Sequence, residues 1–126
     1  MMSQAPLHWI VVEDNPDSRF LFERFIRKVA GHEVKVVALA SVEDCRAYAK
    51  LSDEPADALI LDLMLPDGTG RDAVNCLGSL VERARIMVCS ALDPDKAADF
   101  VPDPPYWLLP KPVSLNAFSQ TVEEIA

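Results

Sequence analysis

Short apolar runs alternate with longer amphipathic segments along this 126-residue chain. The runs are rich in Val, Ile and Leu, as strands buried on both faces are. They lie at residues 8–12, 34–39, 58–61, 85–89 and 107–109. This alternation is typical of βαβ units, in which helices cover both faces of a parallel sheet. We therefore predict a single doubly wound α/β domain over residues 1–126, with its core at about residues 8–125.

The first two intervening segments carry helix signals. An Asn-Pro pair at residues 15–16 opens the first helix and Gly31 stops it. Ser41 followed by Asp44 resembles a capping arrangement, which predicts a second helix to about Leu51. The apolar residues of the first helix recur at helical spacing; they are Phe20, Leu21, Phe22, Phe25, Ile26 and Val29.

A third predicted helix follows the loop-forming residues 66–70 and contains Gly78 in its interior. Between Ser90 and Trp107, prolines leave only residues 95–101 free for helix, so we expect a degenerate fourth helix of one or two turns. The last helix begins near Ser114 as its N-cap. The apolar faces of the third and last helices comprise Ala73, Val74, Leu77, Leu80 and Val81, and Leu115, Phe118, Val122 and Ile125.

Charge and composition exclude several function classes. A net charge of −8 argues against direct nucleic-acid binding, which needs clustered Lys and Arg. No apolar run approaches membrane-spanning length, and residues 1–6 are too short and too weakly apolar for a signal peptide, so we expect a cytoplasmic protein without membrane attachment. Cys45, Cys76 and Cys89 lack metal-ligand spacing, and we expect them to be reduced and structural.

Four of the apolar runs end at residues suited to phosphoryl chemistry. The first run ends in Glu13 and Asp14, the third in Asp62, the fourth in Ser90 and the fifth in a Pro-Lys-Pro segment that contains Lys111. Because the carboxyl ends of parallel strands meet at one edge of a sheet, we expect these side chains to converge. An aspartate there can act as a nucleophile toward a phosphoryl group if a divalent cation neutralises the gathered oxygens.

Each residue type fits a task at such a site. Glu13, Asp14 and Asp62 supply the oxygen ligands that Mg²⁺ prefers, and Asp62 is then the predicted acceptor. Lys111 would offset negative charge during transfer, and the Ser90 hydroxyl could hydrogen-bond a phosphoryl oxygen. Singly, the same residues suit strand-end caps, solvated acidic pairs and loop lysines. Their occurrence together in this order favours the functional interpretation.

The segments that contain these residues carry a family resemblance. They are residues 10–15 (IVVEDN), 59–70 (LILDLMLPDGTG), 88–91 (VCSA) and 109–112 (LPKP). In order and spacing the chain resembles the receiver domain of response regulators in two-component signalling, the fold shared with the chemotaxis response regulator. The resemblance implies a (βα)5 domain whose five-stranded parallel sheet has the order 2-1-3-4-5.

The resemblance also implies roles for individual residues. Asp62 matches the phosphorylated aspartate, residues 13–14 the metal-binding acidic pair, Ser90 the switch hydroxyl and Lys111 the family's lysine. The backbone carbonyl of Met64 would be a further Mg²⁺ ligand. A histidine kinase or a histidine phosphotransfer protein would donate the phosphoryl group, and a downstream protein partner of unknown identity would respond to it.

Three features depart from the family pattern. Receivers usually carry Tyr or Phe three residues before the lysine, where this chain has Leu108; Tyr106 shares its strand face and Trp107 points oppositely, and we expect both rings to pack the edge of the core. The proline-rich segment replaces a regular fourth helix. In addition, Met64 and Leu92 occupy the two positions at which other receivers position a water through polar side chains, which predicts slow hydrolysis of the aspartyl phosphate.

Three functions follow from these residues. The leading hypothesis is a phosphorylation-controlled switch or relay that is not an enzyme, beyond self-phosphorylation and self-dephosphorylation. The alternative is a phosphatase or phosphotransferase of the haloacid-dehalogenase type with Asp62 as turnover nucleophile, but such enzymes carry a second aspartate where this chain has Met64. A third hypothesis is a degenerate receiver that binds partners without phosphorylation.

Overall fold

A computed structural model describes residues 6–125 and contains one five-stranded parallel sheet. Its strands are β1 (His8–Val12), β2 (Lys35–Leu39), β3 (Ala58–Leu61), β4 (Arg85–Ser90) and β5 (Trp107–Pro110). They lie in the order β2-β1-β3-β4-β5, with every neighbouring pair parallel. The predicted α/β class and strand order are confirmed. The predictions about residues 1–5 and 126 lie outside the described residues.

The two central strands of the sheet, β1 and β3, are fully buried. All four residues of β3 and all five of β1 are buried, as continuous apolar runs in a parallel sheet are expected to be. The second strand begins at Lys35, one residue later than predicted, although the side chain of Val34 is buried beside it.

Helices cover both faces of the sheet. Helices α1 (Pro16–Ala30) and α5 (Leu115–Ile125) pack on one face, where they share a buried cluster with the side chains of Trp9 and Ile60. Helices α2 (Val42–Leu51), α3 (Gly70–Leu77) and the single turn α4 (Pro94–Ala97) cover the other face. None of the helices within residues 6–125 is long and apolar enough to cross a membrane.

The predicted helix starts are confirmed by their cap hydrogen bonds. Asn15 Oδ1 accepts from the Ser18 N–H at 3.0 Å, and Ser41 Oγ accepts from the Asp44 N–H at 3.0 Å. Ser114 Oγ likewise accepts from the Ala117 N–H at 3.0 Å before α5. These caps depend on neighbours three residues away, so the local sequence was sufficient to predict them.

The prediction that Gly78 lies inside the third helix is wrong. Helix α3 ends at Leu77, and Gly78 has a φ of +54°, a conformation that side chains with a Cβ rarely adopt. A 3₁₀ turn, Gly78–Val81, follows and still buries Leu80 and Val81. The apolar spacing was therefore correct, but two different helical segments produce it.

The proline-rich segment contains one short turn, α4, as expected from its prolines. It is attached to the start of α3 by Arg71, whose N–H donates to the Phe100 carbonyl at 3.0 Å. The Arg71 side chain also donates from Nε to the Val101 carbonyl at 2.9 Å and from Nη2 to the Ala98 carbonyl at 3.4 Å. Arg71 thus holds the segment to the domain together with the packing of Ala97, Phe100 and Val101 against the core.

Candidate functional site

The strand-end residues occupy one edge of the sheet because ladder hydrogen bonds continue past three strand ends. The Glu13 N–H donates to Leu39 O at 3.0 Å, and the Asp62 N–H donates to Val12 O at 2.9 Å. The Lys111 N–H donates to Ser90 O at 3.1 Å. The backbone therefore fixes where each of these side chains leaves the sheet.

Three carboxylates gather at this edge. One oxygen each of Glu13, Asp14 and Asp62 lie within 4.8 Å of one another. Their exposure differs greatly, since Glu13 is 1% exposed, Asp62 is 9% exposed and Asp14 lies open to solvent. Carboxylate oxygens in this number suit a hard divalent cation such as Mg²⁺, which also retains water ligands.

Lys111 is the cation of the cluster. Its Nζ lies 3.2 Å from Asp62 Oδ2 and also donates to Glu13 Oε1. Burial raises the pKa of the Glu13 carboxyl to about 7, with a further rise from Asp62 and an opposing effect from Lys111. Burial alone would lower the pKa of Lys111, but its hydrogen bond to Glu13 and the charge of Asp62 raise it overall. The site thus concentrates negative charge around one ammonium group.

Asp62 is held at both of its carboxylate oxygens. Oδ2 faces Lys111, and Oδ1 accepts from the Met64 N–H at 3.3 Å. The Met64 side chain is 57% exposed and begins a short antiparallel ladder, in which Met64–Leu65 pairs with Gly68–Thr69. Ser90 is buried at the end of β4, where its Oγ accepts from the Leu92 N–H at 3.0 Å.

The contacts that Arg19 and Asn15 make with the acidic pair were missed by sequence reasoning. Arg19 Nη1 donates to the backbone carbonyls of Glu13 at 2.8 Å and Asp14 at 2.9 Å. The Asn15 N–H donates to Glu13 Oε2 at 3.4 Å. A sequence signal was available for Arg19, since an arginine one turn into a helix can reach back to the loop that precedes it.

The aromatic residues before Lys111 divide between the two faces of the sheet. Tyr106 packs against the cluster that contains Ile10 and Leu59, and Trp107 packs against the opposite cluster. Both rings are partly buried at the edge of the core, whereas Leu108 is 52% exposed. The expected packing of both rings is therefore what the structure shows.

A surface cleft of the domain lies away from the carboxylate cluster. A cleft of about 920 Å³ lies at the amino-terminal end of β4, far from the strand ends that carry the carboxylates. Arg71, Arg83 and Arg85 line it together with Pro102, Pro104 and Pro105. Since none of the strand-end residues lines this cleft, charge and ligand chemistry locate the candidate site better than concavity does.

The comparisons with known proteins agree with the fold and the motifs. A family model, the response regulator receiver domain, matches residues 9–123. The chain belongs to this family. Receiver domains are signalling modules of two-component systems and are generally not enzymes. They interact with histidine kinases or phosphotransfer proteins and bind Mg²⁺ at an acidic site.

Solved receiver domains have the same architecture. A CheY-like receiver from Methylobacillus flagellatus is 20% identical, with a TM-score of 0.72 over 98% of this chain and 100% of that one. A receiver protein from Sinorhizobium medicae is 15% identical, with a TM-score of 0.77 over 94% and 93%. The receiver domain of a Pseudomonas aeruginosa sensor histidine kinase, which has a magnesium ion in its active-site cleft, is 19% identical over 97% of both chains, with a TM-score of 0.71. No curated protein matches the sequence significantly.

Proposed function

We propose that this receiver domain accepts a phosphoryl group on Asp62 from a histidine kinase or a histidine phosphotransfer protein, with Mg²⁺, and acts as a phosphorylation-dependent switch or relay. The observation that carries the proposal is the cluster at the sheet edge: three carboxylates within 4.8 Å of one another, with the Lys111 ammonium 3.2 Å from Asp62. The family and the fold support it.

The donor set fits a magnesium ion. Glu13, Asp14 and Asp62 would hold the ion through carboxylate oxygens, and the backbone carbonyl of Met64 would add a further ligand. The bound ion would supply charge neutralisation for the gathered oxygens. The cluster carries a net negative charge with Lys111 as its counterion, so an added cation would relieve repulsion among the carboxylates.

The other residues act on the transferring group. Asp62 supplies the nucleophilic oxygen, which forms a bond to phosphorus as the bond to the donor breaks. Lys111 already faces Oδ2 and would stabilise the negative charge of the product. The Ser90 hydroxyl would donate to a phosphoryl oxygen, which requires it to turn its proton toward Asp62.

The phosphatase alternative has less support. An enzyme of that type needs a general acid two residues after its nucleophile. This position is Met64, whose exposed thioether cannot donate a proton. We therefore propose a signalling module and not a turnover enzyme.

The partner and compartment also belong to the proposal. The net charge of −8 favours proteins over nucleic acid as direct partners, including the downstream partner that reads the phosphorylated state. Cys45, Cys76 and Cys89 are free thiols, which suits the reducing cytoplasm.

Intact-mass measurement after incubation with acetyl phosphate and MgCl₂ tests the proposal. We expect one added phosphoryl group on the wild type and none on Asp62→Asn or in excess EDTA. The matched control is Asp53→Asn, an exposed carboxylate distant from the cluster, which should be phosphorylated normally. Undiminished incorporation in Asp62→Asn would refute the assignment, and no incorporation in the wild type would favour the degenerate receiver.

A further inference from the structure

One side chain of α1 ties the loop between β1 and α1 to that helix through hydrogen bonds. Within residues 6–125 the β1 ladder ends at the Glu13 N–H, so the carbonyls of Glu13 and Asp14 have no strand partner there. Arg19 Nη1 donates to both, at 2.8 Å and 2.9 Å. Arg19 is itself fixed in the first turn of α1, where its N–H donates to Asn15 O at 3.0 Å.

These two hydrogen bonds hold the peptide groups on either side of the Asp14 Cα. The Glu13 carbonyl belongs to the preceding peptide group and the Asp14 carbonyl to the following one. Since two soft dihedral angles relate these planes, holding both planes fixes the direction of the Asp14 Cβ. The backbone of Asp14 is thus positioned by a residue five positions further along the chain.

The neighbouring carboxylate, that of Glu13, is held by hydrogen bonds to its own side-chain oxygens. Glu13 is buried, its Oε1 accepts from Lys111, and its Oε2 accepts from the Asn15 N–H. Among residues 6–125, no hydrogen bond or ion pair holds the exposed Asp14 side chain. The location of the Asp14 carboxylate therefore depends on its backbone.

We propose that Arg19 is a positioning residue for the metal site: it fixes the Asp14 backbone so that the carboxylate meets those of Glu13 and Asp62. This inference rests on the Mg²⁺ site of the proposed function. The positioning role of Arg19 and its positive charge have opposite effects on Mg²⁺ affinity. The guanidinium repels a cation, so its removal would tighten Mg²⁺ binding if charge dominated and weaken binding if positioning dominates.

The sign of the change in Mg²⁺ affinity tests the inference. MgCl₂ titrations followed by ¹H–¹⁵N NMR should show about ten-fold weaker binding for Arg19→Gln than for the wild type. Arg19→Lys, which keeps the charge and a donor on a different stem, should lie between the two. The control Arg24→Gln removes an exposed arginine that lies over the Phe20 ring, on the same helix, and should bind as the wild type does.

A double variant separates positioning from general loss of structure. If Arg19 acts through Asp14, adding Arg19→Gln to Asp14→Ala should weaken Mg²⁺ binding no further. Unchanged or tighter binding by Arg19→Gln would overturn the inference while leaving the proposed function intact, and so would full additivity in the double variant. A wild type that binds no Mg²⁺ would instead overturn the metal site itself.

Discussion

Glu13 and Asp14 show how differently two adjacent carboxylates can be placed. Both follow β1 and both suit a cation, so the sequence predicts both as members of one metal-binding set. In the structure, Glu13 is buried and accepts from Lys111, whereas Asp14 is exposed and is held through its backbone. Residue type and spacing locate a ligand set, but burial depends on distant segments such as the loop that carries Lys111.

Met64 should control the lifetime of the phosphorylated state. Its exposed thioether follows Asp62 by two residues and cannot orient a water for in-line attack. We expect Met64→Asn to speed dephosphorylation several-fold in Mg²⁺ buffer, because an amide can hydrogen-bond a water near the phosphoryl group. Loss of the added mass over time measures the rate.

The matched control for Met64→Asn is Leu51→Asn, which places the same amide at an exposed position on α2. This variant should retain the wild-type rate. An unchanged rate in Met64→Asn, or loss of phosphate from the wild type within seconds, would contradict the role given to Met64.

At the scale of elements, helix starts were predictable and one helix end was not. Asn15, Ser41 and Ser114 cap their helices through hydrogen bonds to residues three positions away, so local sequence determines them. The end of α3 at Leu77 is different, because Leu80 and Val81 continue the apolar spacing beyond it. Only the positive φ of Gly78 separates the two segments.

Gly78→Ala should therefore destabilise the domain. In the described part of the chain, no heavy atom outside the adjoining residues lies within 4 Å of an added Cβ, so the cost is backbone strain rather than a clash. We expect a loss of about 1–2 kcal/mol in the free energy of unfolding, measured by urea denaturation. Ser79→Ala, at the next exposed position, is the control and should change stability by less than about 0.5 kcal/mol. Equal stability of Gly78→Ala and the wild type would show that the turn relaxes without cost.

At the scale of the whole molecule, the alternation of apolar runs predicted the α/β class, but the strand order came from family resemblance. Pairing between β1 and β3 joins segments about fifty residues apart, and no local pattern encodes it. Once the strands are known to be parallel and adjacent, the strand-end residues of the site are expected to meet at one edge of the sheet. The hydrogen bonds from Arg19 to the carbonyls of Glu13 and Asp14 could not be predicted in this way, since they depend on the path of the loop between β1 and α1.

The two buried clusters, one on each face of the sheet, should unfold in a single transition. Cys45 is buried in the cluster on the α2 and α3 face, and Cys89 is buried in the cluster on the α1 and α5 face. Burial raises the pKa of each thiol to about 12, so both should resist thiol reagents in the native state. In a Cys76→Ser variant, which lacks the partly exposed thiol, both cysteines should become reactive over the same range of urea concentration.

Peptide mapping after alkylation distinguishes the two thiols. Labelling of Cys45 at clearly lower urea than Cys89 would show that one face opens before the other, which contradicts a single cooperative transition.

The three hydrogen bonds from Arg71 to the proline-rich segment couple that segment to the start of α3. Helix α3 begins directly after the loop that follows Asp62, and the anchored carbonyls belong to the stretch that follows Ser90. A displacement of this loop can therefore reach the proline-rich segment through the backbone and side chain of Arg71. In this receiver, the stretch after Ser90 is therefore linked to α3 both by Arg71 and by the packing of Ala97, Phe100 and Val101 against the shared core.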